Sequence, residues 1–295
     1  MTFTITCIGE PLGEITNAGG LRVSFGGDVL NTDVYCARAA NQSTRVRLVS
    51  ALGPDVLSGE ALDFMASEAI DTSYVRRHAT RAMGLYAIRT DAQGERSFHY
   101  WRDTSAAKTL FEDTGACEFE ALPGNDIIYL SGITLAILSP KGRGNLLAAL
   151  SKAKDAGAKI AFDSNYRPHL WDNMDEARDA ISALWRITDI ALPTIEDEQA
   201  LFEGTSDSAI IDRLLASGAT FGALKRGAVG PCPFPDHDVR KDFAPAETVV
   251  DTTGAGDSFN GAFLAAIADG ATATKAAHRA HEIARRVVAV HGAIA

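Results

Sequence analysis

Short runs of apolar and β-branched residues alternate along the chain with longer segments in which apolar residues recur every three or four positions. The short runs predict strands at 4–8, 45–51, 127–131, 159–163, 190–192 and 222–225. The longer segments predict helices at 29–40, 59–68, 143–156, 175–185, 196–203, 208–217, 257–268 and 274–290. Because this alternation is typical of consecutive βαβ units, it predicts an α/β fold around a mostly parallel sheet.

The chain shows no obvious domain boundary. No stretch rich in serine and glycine, no block of like charges and no internal repeat interrupts its 295 residues. This length is sufficient for one large α/β domain with a sizeable core. We therefore expect residues 1–295 to form a single domain.

The segment 84–102 departs from the α/β rhythm, because two extended runs flank the turn-forming residues 91–94 and predict a β-hairpin. Side-chain alternation places Tyr86, Tyr100 and Arg102 on shared faces and Leu85 and Trp101 on the opposite side. Since both faces carry apolar groups, the segment predicts a lid that covers a ligand and contacts a second copy of the chain. Residues 10–24 are candidates for further lid strands, and an ordinary edge hairpin on the main sheet is the alternative.

Composition narrows the possible partners. The formal net charge is −10 and the pI is about 5.2, so the chain lacks the excess positive charge with which proteins bind nucleic acid or an anionic membrane. The apolar run at 127–138 is shorter than the roughly 20 residues of a membrane-spanning helix, and residues 1–10 lack the cations of a secretory signal. We expect a cytoplasmic protein with small-molecule partners, in which the scattered Cys7, Cys36, Cys117 and Cys232 are reduced thiols.

The most informative segment is Asp251-Thr-Thr-Gly-Ala-Gly-Asp257, which runs directly into a predicted helix. A turn of small residues at a helix N-terminus presents backbone N–H groups and the positive end of the helix dipole, so it favours a phosphate. Gly254 and Gly256 allow close approach of the anion. An ionised Asp257 beside that anion is able to accept the proton of an attacking hydroxyl. The alternative is that Asp257 only caps the helix.

Three further turns are candidates for ligand contact. Lys225-Arg-Gly-Ala-Val-Gly230 follows a predicted strand and suits a nucleotide phosphate. Phe25-Gly-Gly-Asp-Val-Leu-Asn31 precedes a helix and predicts backbone amides, Asp28 and Asn31 around a polyhydroxylated ligand, unless it is a plain strand-to-helix turn. Asp163-Ser-Asn-Tyr-Arg167 follows a strand whose carboxyl end faces the ligand crevice, so it offers Arg167 to an anion or forms a salt-bridged loop.

Several common signatures are missing from the sequence. Neither a P-loop nor a dinucleotide fingerprint after the first strand occurs. The segment His281-Glu-Ile-Ala-Arg285 has arginine where a helical zinc-protease motif needs histidine, so we interpret it as a polar helix face.

In their order along the chain, these motifs resemble those of the ribokinase-like (PfkB) carbohydrate kinases. The resemblance runs from Gly26-Gly27-Asp28 to Asp257 and implies a three-layer α/β/α ribokinase-like fold with a small β lid. It implies sugar contacts from Gly26, Gly27 and Asn31, and a catalytic base at Asp257 beside an anion hole of Gly254, Ala255 and Gly256. It also implies an ATP site formed by Asn165, Lys225, Gly227, Gly230, Gly254 and Gly256.

Within the family, the segments 100–102, 132–137 and 163–171 look most like those of 2-keto-3-deoxygluconate kinases, which implies phosphorylation of this sugar acid at its 6-hydroxyl. The substrate carboxylate would be recognised by Arg102 and Arg167 through charge-assisted hydrogen bonds. Tyr86 and Tyr100 would add hydroxyls and an apolar platform. The alternatives are that Arg102 serves a sugar phosphate and that Arg167 lies nearer the ATP phosphates.

The expected Mg²⁺ site departs from the family pattern. Many members carry an Asn-x-x-Glu segment that organises Mg²⁺ through water, whereas residues 193–198 here read Pro-Thr-Ile-Glu-Asp-Glu. The best alignment puts Asp197 in place of the glutamate, so we expect Mg²⁺ to accompany ATP with Asp197 acting indirectly.

Other activities remain open at this point. A fructokinase, ribokinase or nucleoside kinase would share the motifs, and a sugar-binding regulator would keep the fold without turnover. The intact turn at 254–257 argues against the regulator, and the missing dinucleotide fingerprint argues against an oxidoreductase.

Overall fold

A computed structural model describes residues 2–17, 20–90, 96–204, 206–235 and 243–294. The predicted turn at 91–94 lies outside the described residues. The strands are β1 (Phe3–Ile8), β2 (Leu12–Thr16), β3 (Arg22–Gly26), β4 (Thr44–Leu52), β5 (Asp71–Arg77), β6 (Gly84–Thr90), β7 (Arg96–Trp101), β8 (Ile127–Ser131), β9 (Lys159–Asp163), β10 (Ile190–Ala191), β11 (Phe221–Leu224) and β12 (Cys232–Phe234). The helices are α1 (Asp28–Ala39), α2 (Val56–Ser67), α3 (Cys117–Glu120), α4 (Gly132–Ile137), α5 (Pro140–Asp155), α6 (Met174–Trp185), α7 (Ile195–Leu201), α8 (Asp207–Ser217), α9 (Ala255–Ala268) and α10 (Ala273–Val287).

Eight strands form the main sheet in the order β12-β11-β10-β9-β8-β1-β4-β5. All neighbours pair in parallel except β11 and β12, so the predicted mostly parallel sheet is confirmed. The chain starts near the middle at β1, moves outward through β4 and β5, and returns to β8 on the other side of β1. Such a reversal of strand order opens a crevice at the carboxyl ends of the strands, where ligands bind in open α/β sheets.

Helices cover both faces of the main sheet. One apolar cluster packs α4, α5, α6 and α8 against the sheet, and a second cluster packs α1, α2, α9 and α10 against the opposite face. The three-layer α/β/α architecture expected from the resemblance is therefore confirmed. No helix within the described ranges is both long enough and apolar enough to cross a membrane.

A separate four-stranded sheet has the order β3-β2-β6-β7. The hairpin of β6 and β7 pairs Tyr86 with Tyr100 and Leu85 with Trp101, so the predicted alternation of faces is confirmed. The hairpin is not an edge of the main sheet, because β6 pairs with β2 instead. We call this four-stranded sheet the lid; its strands β2 and β3 come from residues 12–26.

Several helices begin earlier than the apolar pattern predicts, because the capping residues precede the first apolar position. Helix α2 begins at Val56 rather than at 59, since the Asp55 side chain accepts a hydrogen bond from the Ser58 N–H at 2.9 Å. Helix α5 begins at Pro140 rather than at 143, with Ser139 as its N-cap and proline in the first turn.

Candidate active site

A cleft of about 360 Å³ lies between the lid and the carboxyl ends of the main-sheet strands. It is lined by most of the residues that the sequence predicts for the site: Gly27, Asn31, Tyr86, Tyr100, Arg102, Asn165, Arg167, Asp197, Lys225, Gly254, Gly256 and Asp257. These residues come from α1, the lid, the ends of β9 and β11, and the starts of α7 and α9. The fold thus brings together motifs that are widely separated along the chain.

A second cavity of about 210 Å³ adjoins this cleft, and both cavities are lined by Thr194, Lys225 and Gly256. The predicted residues Gly227 and Ala255 line only the second cavity. Its far side is formed by α9 and α10 through Phe259, His281 and Ala284. The structure therefore presents two neighbouring compartments with Lys225 in the shared wall.

Two predicted contact residues lie behind the cavity surfaces. A Cβ atom at Gly26 would lie 3.3 Å from both the Asn31 Oδ1 and the Tyr86 hydroxyl, so glycine allows these two groups to approach each other. A Cβ atom at Gly230 would lie 2.5 Å from the Phe243 Cβ. Their ligand contacts stay predictions.

The N-terminus of α9 faces the cleft. Its N-cap is Gly254, whose φ of 75° is left-handed and whose Cβ would lie 2.7 Å from the Ala293 carbonyl oxygen, so glycine is required there. The N–H groups of Gly256 and Asp257 lie in the first turn, where the helix supplies no acceptor. This geometry suits an anion.

Asp257 does not cap the helix, so that alternative is wrong. Its carboxylate accepts a hydrogen bond from the Asn31 Nδ2 at 2.8 Å, across the interface of α1 and α9. Burial raises the pKa of Asp257 to about 7, and the charge of Asp28 adds to this effect, while the Asn31 hydrogen bond and the Lys225 charge oppose it. A carboxyl group with such a pKa is suited to exchange a proton with a substrate near neutral pH.

A buried network holds Lys225 between the two cavities. The Lys225 Nζ donates to the Asp163 Oδ2 at 2.5 Å and to the Asn260 Oδ1 at 3.1 Å. The Asn260 amide in turn donates to the same Asp163 oxygen at 2.7 Å and to the Tyr129 hydroxyl at 3.1 Å. Asn260 lies about one helical turn beyond Asp257 on α9, and this spacing is the signal by which sequence reasoning could have found it.

The two predicted arginines lie in the cleft but in different surroundings. The Arg102 guanidinium is buried, and its Nε donates to the Glu10 Oε2 at 2.9 Å. The Arg167 side chain is 46% exposed, and its Nη1 lies 3.6 Å from the Asp197 Oδ1. Burial raises the pKa of Asp28, while the Ser131 hydrogen bond and the charges of both arginines lower it. Sequence reasoning missed Glu10, although a carboxylate just beyond β1 was a signal for the same crevice.

The lid contributes an aromatic surface to the cleft. The rings of Tyr86 and Tyr100 stack with their centroids 5.8 Å apart, and Phe98 stacks on Tyr100 at 6.4 Å. The Tyr86 hydroxyl donates to the Glu14 carboxylate on β2. The two tyrosines thus stack beside the cleft, with the Tyr86 hydroxyl held by Glu14, and their contact with a substrate stays a prediction.

Comparison with known proteins gives the family of this chain. The family described as pfkB family carbohydrate kinase matches residues 2–295. The chain belongs to this family.

Individual relatives support the same assignment. The chain is 41% identical over 301 residues to the 2-dehydro-3-deoxygluconokinase of Escherichia coli strain K12, covering 100% of the chain and 97% of that protein. It is 38% identical over 300 residues to the enzyme of the same name from Dickeya dadantii, with 99% and 97% covered. A crystal structure of a putative Ribokinase II from E. coli, in complex with ATP and Mg²⁺, superposes with a TM-score of 0.85 at 22% identity, covering 100% and 95% of the two chains. That structure shares the fold of this PfkB kinase.

Asp197 is the cleft carboxylate of this PfkB kinase that a hard cation would favour. Burial and the charge of Asp163 raise the pKa of Asp197 to about 7, and a nearby divalent cation would favour its ionised form. Both Asp163 oxygens already accept hydrogen bonds, and no cluster of three or more metal-binding side chains lies among the described residues, so water and substrate phosphates would complete the coordination of Mg²⁺. The neighbouring Glu198 is buried and accepts a hydrogen bond from the Arg213 Nη2 at 2.6 Å. Asp197 therefore faces the cleft and Glu198 does not, and the role of Asp197 toward Mg²⁺ stays a prediction.

Another residue with an unpredicted position in the kinase is His281. Its ring lines the second cavity, and its Nε2 lies 2.8 Å from the Ala244 carbonyl oxygen. The interpretation of this segment as a polar helix face is incomplete, because the α10 face that carries His281 borders the cavity next to Lys225.

Proposed function

We propose that this carbohydrate kinase phosphorylates 2-keto-3-deoxygluconate at its 6-hydroxyl, with ATP as the phosphoryl donor and Mg²⁺ as the accompanying cation. The observation that carries the proposal is the presence of two arginines in the same cleft as Asp257 and the N-terminus of α9. A neutral sugar needs no cation, whereas a sugar acid needs one at its carboxylate and a proton acceptor at its hydroxyl. The identity to enzymes named 2-dehydro-3-deoxygluconokinase supports the same substrate.

The lid side of the cleft would bind the sugar acid. Arg102 and Arg167 donate to its carboxylate, and the stacked rings of Tyr86 and Tyr100 pack against its carbon chain. The sugar hydroxyls meet the backbone of Gly27, beside Gly26, and the Asn31 amide. The amide also fixes the orientation of the Asp257 carboxylate through its hydrogen bond.

The residues at the start of α9 would carry out the phosphoryl transfer. Ionised Asp257 accepts the proton of the sugar hydroxyl as the oxygen attacks the terminal phosphoryl group of ATP. The first-turn N–H groups from Gly254 to Asp257 donate to the oxygens of the phosphoryl group, where negative charge is concentrated. Lys225 lies in the wall between the two cavities, where it neutralises charge on the same group.

The second cavity would accommodate the nucleotide. The Gly227 turn and Ala255 lie beside its phosphates, and Phe259 and His281 pack around its base. Asn165, at the end of β9, donates to the Asp28 Oδ2 at 3.1 Å and lies beside the phosphate path. Asp197 is the residue that would hold Mg²⁺ indirectly, through water, and the cation would neutralise phosphate charge when bound.

Turnover of different acceptors tests the proposed substrate. ADP release should be measured with 2-keto-3-deoxygluconate, fructose, ribose and a nucleoside at saturating ATP and Mg²⁺. We expect kcat/KM for the sugar acid to exceed that for each neutral acceptor by at least about tenfold, the minimum effect of one charge-assisted contact. Equal or better turnover of fructose or ribose would contradict the acid assignment and leave a different sugar kinase.

We further propose that the chain forms a homodimer through the outer face of the lid. Trp101 is 59% exposed and Val23 is 44% exposed on this face, opposite the stacked tyrosines. A second copy would cover these apolar side chains.

Replacing Trp101 by Glu should shift the assembly toward the monomer, because two buried carboxylates would face each other across a twofold interface. Sedimentation velocity at micromolar concentration measures the shift. Val56→Glu, at the N-terminus of α2 and 75% exposed, is the matched control that should leave the mass unchanged. A parent protein that sediments as a monomer would refute the dimer.

A further inference from the structure

Glu10 and Arg102 form an ion pair at the two points where the chain passes between the main sheet and the lid. Glu10 lies between β1 and β2, and Arg102 directly follows β7. The carboxylate side chain is 1% exposed and the guanidinium side chain 8% exposed. The pair therefore ties the beginning of the lid to its end inside the protein.

Both hydrogen bonds within this pair are accepted by the same oxygen of the Glu10 carboxylate. The Arg102 Nε donates to the Glu10 Oε2 at 2.9 Å, and the Nη2 donates to the same oxygen. The Glu10 Oε1 is buried and has no hydrogen-bond partner among the residues that the structure describes. A Cβ atom at Gly84 would lie 2.7 Å from this Oε1 and 3.1 Å from the Arg102 Cβ. The absence of a side chain at Gly84 thus leaves room for the pair.

The position of Arg102 relates the pair to the substrate. Arg102 lines the cleft, and its guanidinium carbon lies 6.0 Å from the centre of the Tyr100 ring. Since Glu10 contacts the Nε and Nη2 edge, the remaining edge of the guanidinium is available to a ligand. Arg167, in contrast, is half exposed; its Nη1 donates to the Tyr166 carbonyl oxygen at 2.9 Å and lies 3.6 Å from the Asp197 Oδ1.

We propose that Glu10 is a positioning residue that sets the acid specificity of the kinase by orienting Arg102 and cancelling its charge. The paired Arg102 recognises the substrate through directed hydrogen bonds, and the half-exposed Arg167, which lies 3.6 Å from Asp197, supplies the less compensated positive charge. This inference rests on the proposed function, in which the substrate is a sugar acid. It explains why a cleft that already contains Asp28, Asp163 and Asp257 also keeps Glu10 buried beside it.

The variant Glu10→Gln tests the inference, because it removes the charge and keeps the size and a hydrogen-bonding oxygen. With its full charge exposed to the cleft, Arg102 should attract a carboxylate more strongly. The comparison substrate is the same sugar with a hydroxymethyl group instead of the carboxylate. We expect the kcat/KM for the sugar acid, divided by the kcat/KM for this neutral sugar, to rise about tenfold in the variant. The free variant should melt at a lower temperature, and the sugar acid should raise its Tm more than it raises that of the parent.

The matched control is Glu68→Gln, which removes the carboxylate of an Arg–Glu pair with Arg38 outside both cavities. It should leave the ratio unchanged. A parent with no preference for the acid overturns the substrate assignment and this inference together. A parent that prefers the acid, with the same ratio in Glu10→Gln, overturns this inference alone, since a merely structural role would weaken both substrates equally.

If Glu10→Gln does not fold, the comparison of Arg102→Gln with the double variant Glu10→Gln, Arg102→Gln answers the same question. With Glu10 left unpaired, its carboxylate repels the acid, so the single variant should show about tenfold lower acid preference than the double variant. Equal acid preference in the two proteins overturns the inference.

Discussion

Replacing Asp257 by Asn should lower kcat by about 10²- to 10⁴-fold, the usual contribution of a general base. The amide keeps the size of the carboxyl group but cannot accept the proton of the sugar hydroxyl. Because the N-cap of α9 is Gly254 and not Asp257, the helix start does not depend on this side chain. Initial rates at saturating ATP, Mg²⁺ and sugar acid measure the loss, and isothermal titration should show that the sugar still binds.

The matched control for this variant is Asp269→Asn, at the other end of the same helix and outside both cavities. It should retain the parent rate. A kcat of Asp257→Asn within about threefold of the parent value would show that the carboxylate accepts no proton in the rate-limiting step.

The pH dependence of the parent follows from the same residue. Burial and the charge of Asp28 raise the pKa of Asp257 to about 7, so kcat/KM should rise with pH and level off above this value. Because the pKa of this carboxyl group is raised in the folded state, the folded protein binds the proton more tightly than the unfolded chain does. The protonated group therefore stabilises the fold at low pH, and this contribution is lost as the pH rises toward 7. The Tm of Asp257→Asn relative to the parent should therefore be higher at pH 8 than at pH 5. An equal Tm difference at both values would contradict the raised pKa.

The strands at the centre of the main sheet were the most predictable part of the fold. The predicted bounds 127–131 and 159–163 coincide with those of β8 and β9, because a strand buried on both faces reads as a short, nearly continuous apolar run. The strand β5 (Asp71–Arg77) was missed because it lies at the sheet edge with only Val75 buried, so its sequence carries little alternation. Likewise, β3 (Arg22–Gly26) has mostly exposed side chains, and its pairing with β2 defines it better than its own pattern does.

The site was predictable where a motif places several groups on one turn, and not where a contact joins distant segments. The residues from Gly254 to Asp257 are consecutive, so their place at the start of a helix beside the cleft was visible in the sequence. The pair of Glu10 and Arg102 joins residues separated by 92 positions, and nothing local indicates that the carboxylate faces this arginine. The two arginines, which the sequence treats as equivalent, therefore differ: Arg102 is buried and paired, and Arg167 is half exposed with a longer contact to Asp197.

We therefore expect Arg167→Leu to weaken the charge-based binding of the substrate carboxylate more than a replacement of Arg102 does. The Arg167 side chain is 46% exposed; its Nη1 donates to the Tyr166 carbonyl oxygen at 2.9 Å and lies 3.6 Å from the Asp197 Oδ1, so these contacts leave other N–H groups of the guanidinium for a ligand. Loss of one charge-assisted contact to the substrate should lower kcat/KM for the sugar acid by about 10- to 150-fold, mainly through a higher KM. The same sugar with a hydroxymethyl group instead of the carboxylate should be affected by less than about threefold, because it offers no charge to lose.

A variant on the outer surface controls for the loss of a charged side chain. Arg178→Leu removes an arginine on α6 that pairs with Asp175 outside both cavities, and it should leave both substrates unaffected. If Arg167→Leu instead raises the KM for ATP and preserves the preference for the acid, Arg167 serves the nucleotide phosphates. The expectation that Arg167 serves the acid follows from the shared cleft, which Arg167, Arg102 and the turn at Gly27 all line. A substrate carboxylate entering between these two cations would meet directed N–H groups on one side and a less compensated charge on the other.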